Sequence, residues 1–216
     1  MILLPAISGF NSYVNGVAER LVSSGYVTFV IDYYIAEGRA PDTSNPQAIG
    51  IAVANLSDTA VVGGIGTAID LLANDARVDA DHIGTVGLCI GGSFAILAGA
   101  ADDRLKAAVV YYGGLRYDDI TDNKPVAPLD RAGDLRCPLI AHYGTFDRLV
   151  SAEDVATLEG NLQKAARPYE LYLYRGAPHA FDEDHRAVVY RPAASALAWT
   201  RSLAFLNWHL RGQAGR

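Results

Sequence analysis

The chain has 216 residues, 50% of them hydrophobic and 19% charged, and its 18 Lys plus Arg against 24 Asp plus Glu give a formal net charge of −6 at pH 7. This composition excludes a disordered chain, a collagen and a coiled coil, and a chain of this length can bury one large core without disulfide or metal staples. No basic run could track a phosphate backbone, so neither a nucleic acid nor a membrane surface is expected as a partner.

Taken in chain order, residues 2–7 form an apolar run that predicts a strand. The run is far shorter than the ~20 residues a membrane span needs and lacks the basic flank of a signal peptide. Val14, Val17, Leu21 and Val22 then recur at helical spacing over 12–24, with Gly25 placed to end the helix at positive φ. A second strand is predicted at 26–31, followed by an irregular piece, 33–56. Ser57 is suited to cap a helix running to about Asn74. Strands follow at 82–88 and 107–112, separated by a helix of small residues over 95–101. A second irregular piece, 113–136, precedes a strand at 138–143. Ser151 to Asp154 reads as a capping box opening a helix to about Ala166, and Pro192 starts a last helix reaching Leu210. Between these two helices lies a strand at 169–174, whose partial alternation suits an edge.

Most of these strands are continuously apolar, as expected where both faces of a parallel sheet are covered. The β-α alternation predicts a doubly wound α/β fold with helices on both faces, one domain spanning 1–216. Ligands of such sheets bind beyond the carboxyl ends of the strands, where both irregular pieces begin, so these pieces are expected to frame the site. The two cysteines, Cys89 and Cys137, are too few for a disulfide framework and suit a reduced, cytoplasmic protein.

The sharpest local signal is Gly87-Leu88-Cys89-Ile90-Gly91-Gly92, between a strand and a helix. It has the form of a nucleophile elbow with Cys in place of Ser. Such a turn sets the thiol at a helix N-terminus, whose partial positive charge favours a thiolate, and leaves the N–H of Ile90 as a donor to an oxyanion. The plainer reading of Cys89 is a small buried hydrophobe. A thiol nucleophile needs a base and an orienting carboxylate, in the chain order nucleophile, acid, histidine. Asp147 and His179 follow in that order, each after a predicted strand. Alone, Asp147 could cap the helix region at Ser151 or simply pair with Arg148, and His179 could be a surface loop histidine.

The remaining candidates are weaker. His179, Asp182, Glu183, Asp184 and His185 make a dense cluster that reads more simply as an acidic loop than as a metal site, and no metal or cofactor is expected. His142 reads as a core histidine and Cys137 as a structural thiol. Gly63-Gly64-Ile65-Gly66 lacks the third glycine of a dinucleotide fingerprint and reads as helix packing. Tyr34 and Tyr112, at strand ends, are candidates to line an acyl pocket, with plain packing as the alternative.

Over residues 2–210 the chain resembles the dienelactone hydrolase family of α/β-hydrolases. The motifs that carry the resemblance are Gly87 to Gly92, Tyr111-Tyr112-Gly113-Gly114, Gly144-Thr145-Phe146-Asp147 and Gly176-Ala177-Pro178-His179-Ala180-Phe181. The resemblance implies an α/β-hydrolase fold, Cys89 as nucleophile, His179 as base, Asp147 as its orienter and the N–H of Ile7 as a second oxyanion donor. It also implies hydrolysis of a small carboxylic ester or lactone through a Cys thioester. The alternatives are a thioesterase or acyltransferase on a larger acyl group, or a non-catalytic ligand-binding or redox-sensing protein of the same fold. Two positions depart from the family pattern. Ala6 stands where the family's archetype has an activating glutamate, and Glu183 stands where it has an arginine that holds the substrate carboxylate. These departures point to a neutral ester, lactone or thioester. Family members also carry an additional N-terminal β segment, so a short N-terminal edge is expected, open to pairing with a second copy as a homodimer.

Overall fold

All six apolar segments become strands of one sheet in the computed structural model, which describes residues 1–211. The strands are β1 (Ile2–Leu4), β2 (Phe29–Val30), β3 (Ile83–Leu88), β4 (Leu105–Tyr111), β5 (Leu139–Gly144) and β6 (Tyr169–Tyr174). They pair in the order β2-β1-β3-β4-β5-β6, every pair parallel. The helices that connect them are α1 (Ser12–Ser23), α2 (Pro46–Asn55), α3 (Asp58–Ala73), α4 (Ile90–Ala101), α5 (Pro128–Arg131), α6 (Ala152–Ala165) and α7 (Pro192–Arg211).

Successive strand residues point to opposite faces, and here both faces are covered. On one face Leu3, Val86, Val109 and Ile140 pack with α1 and α7; on the other Ile2, Leu4, Val110 and Leu139 pack with α3, α4 and α6. That is why the strands read as unbroken apolar runs. The partly alternating β6 is indeed an edge strand, with Leu173 half exposed.

Three differences from the sequence reading have local causes. The first strand stops at Leu4 because Pro5 has no N–H to donate, and the chain turns at once, Gly9 N–H bonding to the Ala6 carbonyl at 2.9 Å. It lies inside the sheet, between β2 and β3, while the two-residue β2 forms that edge. The piece 33–56 contains α2, whose start was legible in Asn45 and Pro46: the Asn45 side chain accepts from the Ala48 N–H, and Pro46 occupies the first turn. Residues 113–126 are tied to α3 by a buried ion pair between Lys124 and Asp58. Among the described residues no single helix is long and apolar enough to cross a membrane.

Candidate active site

Where β3 runs into α4, Cys89 takes φ 54 and ψ −120, a conformation that costs on the order of 1–3 kcal/mol for a side-chain-bearing residue. The surroundings hold it there. A Cβ on Gly87 would lie 2.1 Å from the Gly91 carbonyl oxygen, and one on Gly91 would lie 2.1 Å from that of Leu4. Only glycine at both positions lets the turn close against β1, and the Cys89 N–H donates to the Tyr111 carbonyl at 3.0 Å. The N–H of Ile90 is the first of α4 and has no acceptor within the helix.

Asp147 and His179 arrive from the loops after β5 and β6, which are stitched together. Thr145 N–H donates to the Tyr174 carbonyl at 3.0 Å, Phe146 N–H to that of Ala177 at 2.9 Å, and Gly176 N–H to the Thr145 hydroxyl at 2.9 Å. Asp147 divides its carboxylate: Oδ1 accepts the N–H groups of Leu149 and Val150, while Oδ2 lies 2.9 Å from His179 Nδ1. It caps the local turn and faces the histidine at once, whereas the helix that follows is capped by Ser151, whose side chain accepts from the Asp154 N–H. His179 Nε2 is 3.2 Å from Cys89 Sγ. The Asp147 side chain is fully buried and that of His179 is 18% exposed. Burial alone would lower the His179 pKa, but facing charge on the Cys89 sulfur and the Asp147 carboxylate outweighs it and raises the value to about 10.

These groups face an open cavity of about 1070 Å³ whose lining includes Ile7, Cys89, Asp147 and His179. Of the two irregular pieces expected to frame it, only 33–56 contributes, through Thr43 and Ile49; no residue of 113–136 reaches it. Neither tyrosine proposed for the acyl pocket lines this cavity. Tyr112 is fully buried behind His179, its ring meeting the imidazole edge-on with centroids 5.1 Å apart, because φ 42 turns it back toward the sheet. Tyr34 lines a neighbouring cavity and donates its hydroxyl to the Ile7 carbonyl at 2.8 Å.

The acidic cluster beyond His179 disperses. Asp182 turns inward and accepts from the hydroxyls of Tyr13 and Ser195, and its burial raises its pKa. Asp184 and His185 are exposed. Glu183 does line the cavity, but Arg186 donates to it at 2.8 Å. Three arginines line the cavity: Arg148, which the sequence reading offered only as a partner of Asp147, and Arg186 and Arg191, which it missed and which lie within 12 residues of His179 in a stretch without helical or strand periodicity. His142 and Cys137 are buried core residues, the imidazole satisfied by the Tyr174 and Ser202 hydroxyls at 2.9 Å each.

The comparisons with known proteins agree with this architecture. A family model described as the dienelactone hydrolase family matches residues 1–210. A Bradyrhizobium protein named "Probable 2-oxo-3-(5-oxofuran-2-ylidene)propanoate lactonase" is 40% identical over 99% of this chain and 85% of its own length. An Escherichia coli K12 protein assigned as a carboxymethylenebutenolidase is 30% identical over 96% of this chain and 76% of its own. Among solved structures, a Klebsiella pneumoniae protein assigned as a dienelactone hydrolase superposes with a TM-score of 0.87 at 29% identity, covering 95% of this chain and 85% of that one.

Proposed function

Since the chain belongs to the dienelactone hydrolase family, we propose that this hydrolase opens small lactones that carry a carboxylate, by way of a thioester on Cys89. The single observation that carries the reading is His179, which spans the site with Cys89 Sγ 3.2 Å from one ring nitrogen and buried Asp147 2.9 Å from the other. That is the geometry required of a nucleophile, a base and the group that orients the base.

In the proposed reaction the Cys89 thiolate attacks the lactone carbonyl while His179 holds the proton. The N–H groups of Ile7 and Ile90 stabilise the developing oxyanion. Collapse breaks the ring C–O bond, and His179 delivers its proton to the departing oxygen. A water deprotonated by His179 then attacks the thioester, releasing the opened acid and restoring the thiol.

Two observations support a carboxylate on the substrate, against the neutral substrate expected from Ala6 and Glu183. Glu183 is neutralised by Arg186, which leaves Arg148 and Arg191 as cavity cations without an ion-pair partner among the described residues. The Bradyrhizobium relative is named for a propanoate. Two free cysteines suit a reducing cytoplasm.

The test is turnover of an anionic lactone by the wild type and by Cys89→Ala, with intact-mass analysis of rapidly quenched enzyme. The expected result is loss of turnover in the variant and, in the wild type, an adduct of the full lactone mass on Cys89. Turnover that survives in Cys89→Ala overturns the reading.

A further inference from the structure

The oxyanion donor assigned to Ile7 sits on a loop with no regular secondary structure, so something else must aim its N–H. The peptide plane that carries this N–H also carries the Ala6 carbonyl, which accepts from Gly9 N–H at 2.9 Å across a four-residue turn. N–H and C=O point in opposite directions across a trans peptide, so this bond sends the Ile7 N–H outward from the turn. Neither backbone nor side-chain bonds occupy that N–H among the described residues.

The next peptide plane is held from the other side. Tyr34 Oη donates to the Ile7 carbonyl at 2.8 Å, and the preceding Tyr33 Oη donates to the Pro5 carbonyl at 3.1 Å. The Tyr34 ring lies against Gly9, where φ is +69 and an added Cβ would come within 3.0 Å of the ring. Tyr33 packs edge-on against Phe94 of α4 at 5.4 Å, which ties the clamp to the helix that follows Cys89. The two tyrosines thus brace both flanks of Ile7 against the elbow.

We propose that Tyr34 is a positioning residue for the oxyanion hole, holding the Ile7 N–H in line with the oxygen of the carbonyl attacked by Cys89. The inference rests on the proposed roles of Cys89 and Ile7. Tyr34 touches neither substrate nor thiol; it acts through the Ile7 carbonyl. Burial raises the Tyr34 phenol well above its ordinary range, so the hydroxyl remains a donor at every working pH.

The test is Tyr34→Phe, which keeps the ring against Gly9 and removes only the hydroxyl. Direct loss of an oxyanion donor costs ~100–1000-fold and a 1 Å misplacement ~100-fold, so kcat on the lactone should fall about tenfold to a hundredfold, with KM within about twofold. Alkylation of Cys89 by iodoacetamide, a displacement that builds no oxyanion, should keep its wild-type rate. Tyr33→Phe, one peptide further from the donor, should lose less than Tyr34→Phe. An unchanged kcat in Tyr34→Phe overturns the proposal, as does a parallel fall in kcat and alkylation rate. Cys89→Ala separates this failure from that of the underlying reading: if it still turns over the lactone, the hydrolytic assignment itself is wrong.

Discussion

Glu183 Oε2 and Arg186 Nη1 lie 2.8 Å apart in the wall of the cavity that contains Cys89, so the acidic residue four positions after His179 is already paired. The electrostatic balance there is set by what remains. Arg191 spends one nitrogen on the Val188 and Tyr190 carbonyls, and Arg148 has no ion-pair partner among the described residues.

Arg148→Ala should therefore raise KM for a carboxylate-bearing lactone by about three- to tenfold while leaving a neutral ester unaffected, and added salt should shrink the difference. Glu183→Gln should act in the opposite direction by releasing Arg186. Steady-state kinetics on a matched anionic and neutral pair decides this: equal changes on both substrates would rule out a charge role for Arg148.

The His179 pKa is raised from the ordinary 6.5 to about 10, so its protonated form persists through neutral pH and is lost only as pH climbs through that value. The alkaline limb of kcat/KM should accordingly fall near pH 10. In Asp147→Asn, with one stabilising negative charge removed, the limb should move to lower pH and kcat should drop by about a hundredfold or more. A pH–rate profile unmoved by that substitution would show that Asp147 does not set the histidine's proton affinity.

Complete burial lowers the His142 pKa to about 3. Its contribution to stability is present above the ordinary 6.5 and is lost as pH falls from there toward 3, because the unfolded state binds the extra proton. Between pH 7 and 5 this single group should remove about 2 kcal/mol of unfolding free energy. Urea titrations at both pH values should show wild type losing that much more than His142→Gln. Equal losses would mean that another group drives acid unfolding.

Gly144 ends β5 where its absent Cβ would lie 2.0 Å from the Ala177 carbonyl oxygen, at the junction of the Asp147 and His179 loops. Gly144→Ala should wedge those loops apart, costing about 1–3 kcal/mol and about a hundredfold or more in kcat. Gly160→Ala, in α6 with nothing within 4 Å of the added carbon, should stabilise by about 0.5–1 kcal/mol and leave kcat intact. Thermal melts and initial rates on the pair test the distinction. A well-folded, fully active Gly144→Ala would contradict the close approach.

The elements that could be read from sequence carry local signals. Every strand had an apolar run, Ser57 and Ser151 marked helix starts, and the glycines at 87 and 91 marked the sharp turn at Cys89. α2 was missed although Asn45 and Pro46 announced its start and Ile49, Ala52, Val53 and Leu56 recur at helical spacing, because only Ala52 of that stripe is fully buried and the other three are partly exposed. Tyr34 and Tyr112 were placed at the correct strand ends yet given the wrong surroundings. A residue's position along a strand says where its backbone is, whereas φ 42 at Tyr112 and the bond from Tyr34 to Ile7 decide where the rings go.

By itself the sequence determined the parallel α/β architecture and the chain order of Cys89, Asp147 and His179, because periodicity, capping and tight turns depend on neighbours a few residues apart. Only the tertiary structure decided that Glu183 is cancelled by Arg186, that Arg148 and Arg191 face the same cavity, and that Tyr34 braces Ile7 from 27 residues away. The pairing of Glu183 with Arg186 spans only three residues, but it required a loop conformation that no local pattern encodes. Charge balance and donor alignment depend on side-chain directions within a packed site, and those directions are set by the fold as a whole.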